Sequence, residues 1–341
     1  MAQTSVGDFT GNAGVGTQQK TQKFAFLAMT CLFFFWGFIT VLNDILIPFL
    51  KESFDLNYTQ AMLVQFCFFG AYFIVSPFAG KLIDSIGYQN GIVCGLLTMA
   101  FGCLLFYPSA EIHVYVLFLF ALFVLAGGIA ILQVAANPYV AALGPEKTAA
   151  SRLNLAQAAN SLGTTVGPLV GAMLILGVAT ADASAVQGPY LMMAVILVVA
   201  AIAFRFIRLP VIASVEGTFT DTDDSVWGRR SLVLGALAIF LYVGGEVAIG
   251  SFLVNYFAES SIAGMSHEAA GEMVAYYWGA VMVGRLIGAL VMNFVAPTKY
   301  LCVNAIIAII MIVVSMNTSG SIAMWSILAV GFFNSFMFPT I

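Results

Sequence analysis

Long apolar stretches separated by short polar segments make up the chain after residue 23. A helix needs about 20 apolar residues to cross a bilayer, and each stretch is close to that length. We place ten spans, at 24–50, 60–82, 91–107, 114–143, 153–179, 189–206, 231–257, 274–294, 301–316 and 322–341. Because a segment in lipid must satisfy its own backbone hydrogen bonds, the pattern predicts an all-α integral membrane protein.

Two polar segments mark how the chain is organised. Residues 1–23 are rich in Gly, Gln and Thr and contain no apolar core of a signal peptide, so we interpret them as a cytoplasmic tail. Residues 209–230 are acidic with a basic end, and we predict a cytoplasmic linker there. The linker would separate a first six-helix bundle, residues 24–208, from a second bundle, residues 231–341.

Three features of the first bundle recur about 200 residues further on, as in transporters built from two similar halves. The matched pairs are Gly80–Asp84 (GKLID) with Gly284–Gly288 (GRLIG), Gln133–Pro138 (QVAANP) with Asn334–Pro339 (NSFMFP), and Asp44 with Glu246. The first half has six predicted spans and the second has four. We therefore expect the sequence to be a fragment that lacks about two C-terminal spans.

Composition supports the membrane prediction and excludes several classes of protein. Hydrophobic residues make up 61% of the chain and charged residues 8%, whereas soluble domains average about 25% charged residues. With the N-terminus inside, the outer loops hold a single cation, Lys51, in agreement with the positive-inside bias. No basic patch points to nucleic acid. The five cysteines are scattered singly, which fits neither disulfides nor a metal site.

Two predicted spans carry amides where a purely structural helix would carry Leu or Val. Gln133 and Asn137 are four residues apart and share a helix face, as do Gln157 and Asn160, three apart. Amides both donate and accept hydrogen bonds, which suits a neutral polyol, especially beside aromatic faces. The aromatic residues nearby in the sequence are Trp36, Phe38, Tyr72 and Tyr139. The alternative is that the amides only hold helices together.

Three ionisable residues fall inside predicted spans, where a charge costs about 2.5–3.5 kcal/mol on insertion scales. Asp44 is predicted to be a proton site; the alternative is a carboxylate near the outer surface that reaches water or an amide. Glu246 is predicted to be a sugar ligand or a second ion-linked acid, the alternative being a structural hydrogen bond. Arg285 is interpreted as structural, reaching phosphates or clamping an inter-helix loop.

The turn between the second and third spans, GKLIDSIGYQN, is predicted to have a gating or structural role. Gly80 and Gly87 permit close helix approach and a tight turn. Asp84 can meet cations or a helix N-terminus on the cytoplasmic side.

Four segments resemble the fucose permease and glucose/galactose permease family of the major facilitator superfamily: WGFITVLNDILIPFLK, QFCFFGAYFIVSPFAGKLI, LQVAANPYVAALG and SRLNLAQAANSLGTTVGP. The resemblance implies a major facilitator fold of two pseudo-symmetric six-helix bundles in a bacterial inner membrane, with sugar bound midway and cation symport. It also implies that Asp44 matches the membrane acid of fucose permeases, and that Gln157 and Asn160 match sugar-contacting amides. At the second acid of fucose permeases this chain has Gln133, which cannot carry a proton.

The resulting hypothesis is a hexose importer, with glucose or galactose favoured, that works by alternating access and cation symport. The coupling ion is expected to be H⁺, with Na⁺ as the alternative, and no metal or other cofactor is expected. The predicted sugar-binding residues are Asn43, Gln133, Asn137, Gln157, Asn160, Glu246 and Asn334. The predicted ion-coupling residues are Asp44 and Glu246, and the predicted gating or structural residues are Gly80, Asp84, Gly87 and Arg285.

Other functions are compatible with parts of the same sequence pattern. A fucose or other sugar symporter, or a same-fold carrier of a drug or organic anion, remains open, although an anion carrier would place cations in its core and only Arg285 is near. A membrane enzyme would need a His, Ser or paired-Asp constellation at membrane depth, and none is evident in the sequence. The expected partners are a neutral monosaccharide and the lipid bilayer, with no nucleic acid, and a functional monomer.

Overall fold

The computed structural model describes residues 11–171, 186–207, 209–210 and 228–341, apart from a few side chains within the helices. Helices and short turns account for this part of the chain, and no strand occurs in it. The helices are α1 (Gly11–Ser53), α2 (Tyr58–Ile112), α3 (Tyr115–Ala142), α4 (Ala149–Gly171), α5 (Gln187–Phe206), α6 (Arg230–Ala258), α7 (His267–Val291), α8 (Pro297–Asn317), α9 (Gly320–Asn334) and α10 (Met337–Thr340).

The helices are suited to lipid by their length and their surface. Eight stretches of the described residues are long and apolar enough to cross a membrane, and one of them, Thr59–Ile112, covers two predicted spans. Large apolar side chains such as Phe73, Phe240 and Phe294 are 84%, 74% and 90% exposed. A water-soluble protein rarely exposes so much contiguous apolar surface, so this surface faces acyl chains.

The long helix α2 contains a break at Gly87, where φ is 80° and ψ is 164°. Glycine adopts a positive φ at little cost because it has no Cβ. The break falls between the second and third predicted spans and confirms the tight turn expected there. A Cβ at Gly80 would meet no described atom within 4 Å, so the close approach expected at that glycine is not seen. Asp84 lies exposed beside the turn.

Two polar segments of the sequence prediction are described only in part. α1 begins at Gly11, inside the segment 1–23 that we predicted as a polar tail, so residues 11–23 continue the first span as helix. Most of the predicted linker 209–230, as well as the end of the fifth predicted span, lies outside the described residues.

The first half, α1 to α5, has one continuous apolar core that includes Phe33, Phe106, Phe118 and Tyr190. Close contact between α1 and α4 depends on glycine. A Cβ at Gly163 would lie 2.2 Å from the Phe34 carbonyl oxygen. Small residues allow membrane helices to approach backbone to backbone, which is what happens here.

The second half, α6 to α10, has a smaller core around Leu253, Phe257, Tyr277 and Leu328. Among the described residues the two halves meet mainly where α4 of the first half packs against α7 and α10 of the second. We call this contact the seam. It lies at the end of α4 that follows the α3–α4 turn, and it brings the amide-bearing helix α4 against the second half.

Candidate functional site

The amides predicted on neighbouring spans come together between α3 and α4. The side-chain nitrogen of Gln157 lies 3.5 Å from Asn137 Oδ1, at the outer limit of a hydrogen bond. Gln157 is buried, and Asn137 and Gln133 are partly buried. The helical spacing therefore correctly predicted that Asn137 and Gln157 lie on the polar faces of their helices. The packing of α3 on α4 then places these two amides opposite each other.

Tyr72 of α2 joins the amides to α1. Its hydroxyl accepts a hydrogen bond from Gln133 Nε2 at 3.3 Å, and it lies beside the side chains of Trp36 and Thr40. Three helices thus meet around one phenol and one amide, with the Trp36 indole alongside. Two of the aromatic residues expected near the amides, Trp36 and Tyr72, are brought together in this way.

Tyr139 does not belong to this group, contrary to the expectation from its position near Asn137 in the sequence. Its hydroxyl donates to the Pro210 carbonyl at 3.0 Å, and its ring lies against Tyr88. Although Tyr139 is only two positions from Asn137 in the sequence, side chains two apart on a helix point in different directions.

Asn160 has a partner that the sequence did not indicate. Its Nδ2 donates to the Phe33 carbonyl oxygen at 3.1 Å, which links α4 to α1. Gly37 makes room for it, since a Cβ there would lie 2.9 Å from Asn160 Nδ2. This contact is an inter-helix bond of the kind that amides make in membranes.

In the second half, hydrogen bonds to two tyrosine hydroxyls hold the polar side chains. The Tyr242 hydroxyl donates to Glu246 Oε1 at 2.7 Å, and Asn334 Nδ2 donates to the Tyr277 hydroxyl at 3.1 Å. Asn334 Oδ1 is buried and has no partner among the described residues, so it can still accept a hydrogen bond. Glu246 is only partly buried.

Sequence reasoning missed Tyr277. Tyr276, Tyr277 and Trp278 follow one another in α7, and the pattern does not say which of them faces the interior. In the structure Tyr276 is 60% exposed, whereas Tyr277 is fully buried. Its partner Asn334 was identified, because a lone amide in an apolar span is a visible signal.

Arg285 is buried between the two halves and bridges them, instead of lying at the surface as the sequence interpretation placed it. It is 8% exposed. Its Nε donates to the Ser335 carbonyl at 2.9 Å, and its Nη1 donates to Ser161 Oγ at 2.6 Å and to the Gln157 carbonyl at 3.3 Å. A single guanidinium therefore contacts the backbone beside Asn334 in one half and at Gln157 in the other.

Further polar contacts cross the seam nearer the start of α4. Ser151 Oγ donates to the Ala289 carbonyl at 2.5 Å. Asn154 Nδ2 lies 3.3 Å from Thr340 Oγ1 and 3.6 Å from Met292 Sδ. Asn154 Oδ1 is buried without a partner among the described residues. The seam is thus closed by hydrogen bonds as well as by apolar contact.

The remaining predicted residues stay apart from this group or outside the description. Asn43 and Asp44 lie in α1, but their side chains are not among those described. Gly80, Asp84 and Gly87 lie at the turn in α2, away from the amides along the helix.

Apolar helices that surround buried amides, with two halves joined at a polar seam, define a multi-pass membrane protein. The chain belongs to the Major Facilitator Superfamily, whose sequence pattern it matches over residues 25–341.

Named relatives agree with this assignment. A protein called "Glucose/galactose transporter" from Brucella abortus is 56% identical over 331 residues, which covers 95% of this chain and 80% of the relative. A "Putative glucose/galactose transporter" from Helicobacter pylori is 47% identical over 335 residues, covering 95% and 81%. The "L-fucose-proton symporter" of Escherichia coli is 33% identical over 353 residues, covering 95% and 80%.

A solved structure supports the same fold. The crystal structure of the Major Facilitator Superfamily transporter FucP in the outward conformation matches with a TM-score of 0.81 at 32% identity. The match covers 94% of this chain and 83% of FucP.

Proposed function

We propose that the protein is a secondary active transporter that imports a hexose with a cation by alternating access. Glucose or galactose is the favoured sugar, because a relative with 56% identity carries the name of a glucose/galactose transporter. The observation that carries the substrate class is the neutral, hydrogen-bonding group of Gln133, Asn137 and Gln157 beside Trp36 and Tyr72. Such a group can bind a polyol without demanding a charge.

The sugar would bind between the halves. In the first half its hydroxyls would meet Asn43, Gln133, Asn137, Gln157 and Asn160. In the second half, Asn334 Oδ1 is a buried acceptor without a partner among the described residues. Burying an acceptor without a hydrogen bond costs free energy, which a sugar hydroxyl that donates to it would recover. Glu246 would accept from a further hydroxyl.

The ion would be coupled mainly at Asp44, with H⁺ favoured and Na⁺ as the alternative. Gln133 cannot take up or release a proton, so a relay between two acids in the first half has no second member there. Glu246 is the remaining candidate for a second coupling acid. No other cofactor is required by the proposed cycle.

The cycle would begin with the outer side open and Asp44 protonated. Sugar would bind, the halves would rock, and the seam would open inward before the proton leaves Asp44. The protein would lie in a bacterial inner membrane with its N-terminus in the cytoplasm, in agreement with the distribution of Lys and Arg. We expect a monomer to be sufficient, and no enzymatic activity, since the named relatives are transporters.

L-Fucose is the second candidate substrate. A relative named as an L-fucose-proton symporter is 33% identical over 95% of this chain, and FucP matches in structure. Glucose or galactose is preferred because of the higher identity to the first relative and because of Gln133, which stands where fucose permeases have an acid.

The test is uptake by the purified chain in proteoliposomes. Labelled glucose would be offered with an inward H⁺ gradient, with an inward Na⁺ gradient, or with neither, in competition with galactose, L-fucose and a neutral polyol. Accumulation of glucose above equilibrium, driven by H⁺ and inhibited by galactose, is expected. Absence of uptake of any sugar, while a drug or organic anion is transported, would overturn the proposal.

A further inference from the structure

Four residues on one face of α4 contact the second half. Ser151, Asn154, Gln157 and Ser161 follow at intervals of three, three and four residues, which is the spacing of a single helix face. Three of them contact the second half through side chains, and Gln157 contacts it through its carbonyl. The same face therefore carries a proposed sugar ligand and the contacts that close the seam.

Arg285 lies at the end of this row that is nearest the sugar site. A buried arginine in a membrane protein is costly unless its donors are satisfied, and Nε and Nη1 are both used. Nε is bound within its own half, to Ser335. Nη1 is bound across the seam, to Ser161 and Gln157. Opening the seam must break the Nη1 contacts but can leave the Nε contact intact.

The two backbone segments that Arg285 contacts both adjoin proposed sugar ligands. The Gln157 carbonyl accepts from Arg285 while its side chain faces Asn137. The Ser335 carbonyl belongs to the residue after Asn334, whose amide is held by Tyr277. A movement of Arg285 therefore acts on a ligand-bearing segment in each half.

Glu246 offers the guanidinium an alternative partner in its own half. Glu246 lies on α6, which packs against the helix α7 that carries Arg285, so the two charges are close enough to act on each other. In this conformation the carboxylate accepts its hydrogen bond from Tyr242. Once Nη1 loses Ser161 and Gln157, Glu246 is a charged acceptor nearby. Bidentate geometry makes an arginine suited to such an exchange, whereas a lysine is not.

We propose that Arg285 is a positioning residue that links the sugar site to the seam, bound to Gln157 and Ser161 while the seam is closed and to Glu246 when it opens. The inference rests on the proposed sugar transport. It adds that the contacts of Arg285 make sugar binding and the opening of the seam depend on each other. Such coupling requires that the two states differ in their contacts, which the exchange of partners provides.

The experiment measures the seam directly. Spin labels at Lys147 and Asn293, which are exposed on opposite sides of the seam, would report the distance between the halves in a variant whose native cysteines are replaced. Ser161→Ala removes one acceptor of Nη1 and leaves the sugar-facing amides unchanged. We expect the ratio of open to closed seam to rise about tenfold, the effect of losing a hydrogen bond to a charged group.

The other variants test the exchange itself. Arg285→Lys should keep the charge yet open the seam, and should change both KM and maximal rate, while a purely structural role would lower only the amount of folded protein. Glu246→Gln should lower the ratio of open to closed seam and slow net transport. Ser315→Ala is the matched control, because this buried serine bonds Tyr256 within the second half. It should change neither the distance nor the uptake.

Two outcomes would overturn the proposal. One is an unchanged distance in both Ser161→Ala and Arg285→Lys while both proteins transport sugar normally. The other is a Glu246→Gln variant whose seam opens as far as that of Ser161→Ala. Because the distance is measured without sugar, failure of sugar uptake in the unmodified protein would count against the proposed function and not against the seam contacts.

Discussion

The two halves of the molecule hold their polar groups in different ways. In the first half, neutral amides are bonded to each other, to Tyr72 and to backbone carbonyls, within a core closed by glycine contacts. In the second half, the polar groups closest to the seam are the partly buried acid Glu246, the cation Arg285 and the amide Asn334, which are held by Tyr242, by the contacts of Arg285 and by Tyr277. The first half thus holds neutral amides in a packed core. The second half supplies the charged groups Glu246 and Arg285, whose hydrogen-bond partners we propose to change during transport.

Each half contains both tight and loosely packed glycines. An added Cβ would collide with facing backbone at Gly163 and Gly37 of the first half and at Gly284 of the second, whereas at Gly80 and at Gly279 it would meet no described atom within 4 Å. The tight helix contacts of the first half fix the spacing of its ligands. Four substitutions test the contrast between the two halves, beginning with the one expected to have the largest effect.

Asp44→Asn should abolish uphill sugar accumulation while sparing sugar exchange, because asparagine cannot take up the coupling proton. The measurement compares pH-driven accumulation with equilibrium exchange in proteoliposomes. Asp55→Asn, at the exposed turn after α1, is the matched control and should keep both activities. Retained accumulation in Asp44→Asn would mean that the coupling acid lies in the second half, with Glu246 the candidate.

Gly163→Ala should destabilise the protein by about 3 kcal/mol, at the upper end of the usual cost of overpacking, because the new methyl group would lie 2.2 Å from the Phe34 carbonyl. Thermal unfolding in detergent measures the effect. Gly279→Ala has open space around it and should be neutral or stabilising by about 0.5–1 kcal/mol, through the lower entropy of the unfolded chain. Equal effects at both sites would mean that the contact between α1 and α4 is no tighter than the surroundings of Gly279.

Gln157→Ala should weaken sugar binding by about thirtyfold, which corresponds to about 2 kcal/mol for buried hydrogen bonds lost to the ligand. The dissociation constant can be measured from tryptophan fluorescence or calorimetry. Gln187→Ala is the control, since that amide bonds Tyr107 and Glu111 near the start of α5. An unchanged dissociation constant in Gln157→Ala would make the amide an inter-helix bond only.

Tyr277→Phe should have the smallest effect, a loss of about 1 kcal/mol in sugar affinity, because it removes the acceptor that orients the Asn334 amide. Tyr256→Phe removes a comparable hydroxyl that bonds Ser315 and should leave affinity unchanged. If both variants lower affinity equally, the effect comes from general loosening of the second half and not from Asn334.

Much of the fold could be predicted because lipid leaves few alternatives. The ten predicted spans correspond to helical segments in the described residues, and the break at Gly87 falls between two of them. α4 is not among the eight apolar stretches, because Gln157, Asn160 and neighbouring hydroxyls interrupt it, although its position was still found from the flanking polar turn.

The site could be predicted only in part. Gln133, Asn137 and Gln157 were identified because an amide in an apolar helix is costly and stands out. Tyr277 was missed, since a buried tyrosine and a lipid-facing tyrosine look alike in sequence. Tyr139 was placed with the amides because it is close to Asn137 along the chain, but its direction on the helix takes it to Pro210.

The pattern of residues is enough to establish that the chain is helical, where its spans lie, and which face of each helix is polar, because backbone bonding in lipid and a period of 3.6 residues settle these features locally. Which of these faces meet could be seen only once the helices were packed together. The bond from Asn160 to α1 and the bridge from Arg285 to Ser161 join residues more than a hundred positions apart. Such partners depend on how whole helices rotate and pack, because helical periodicity sets a direction on one helix and says nothing of its neighbour.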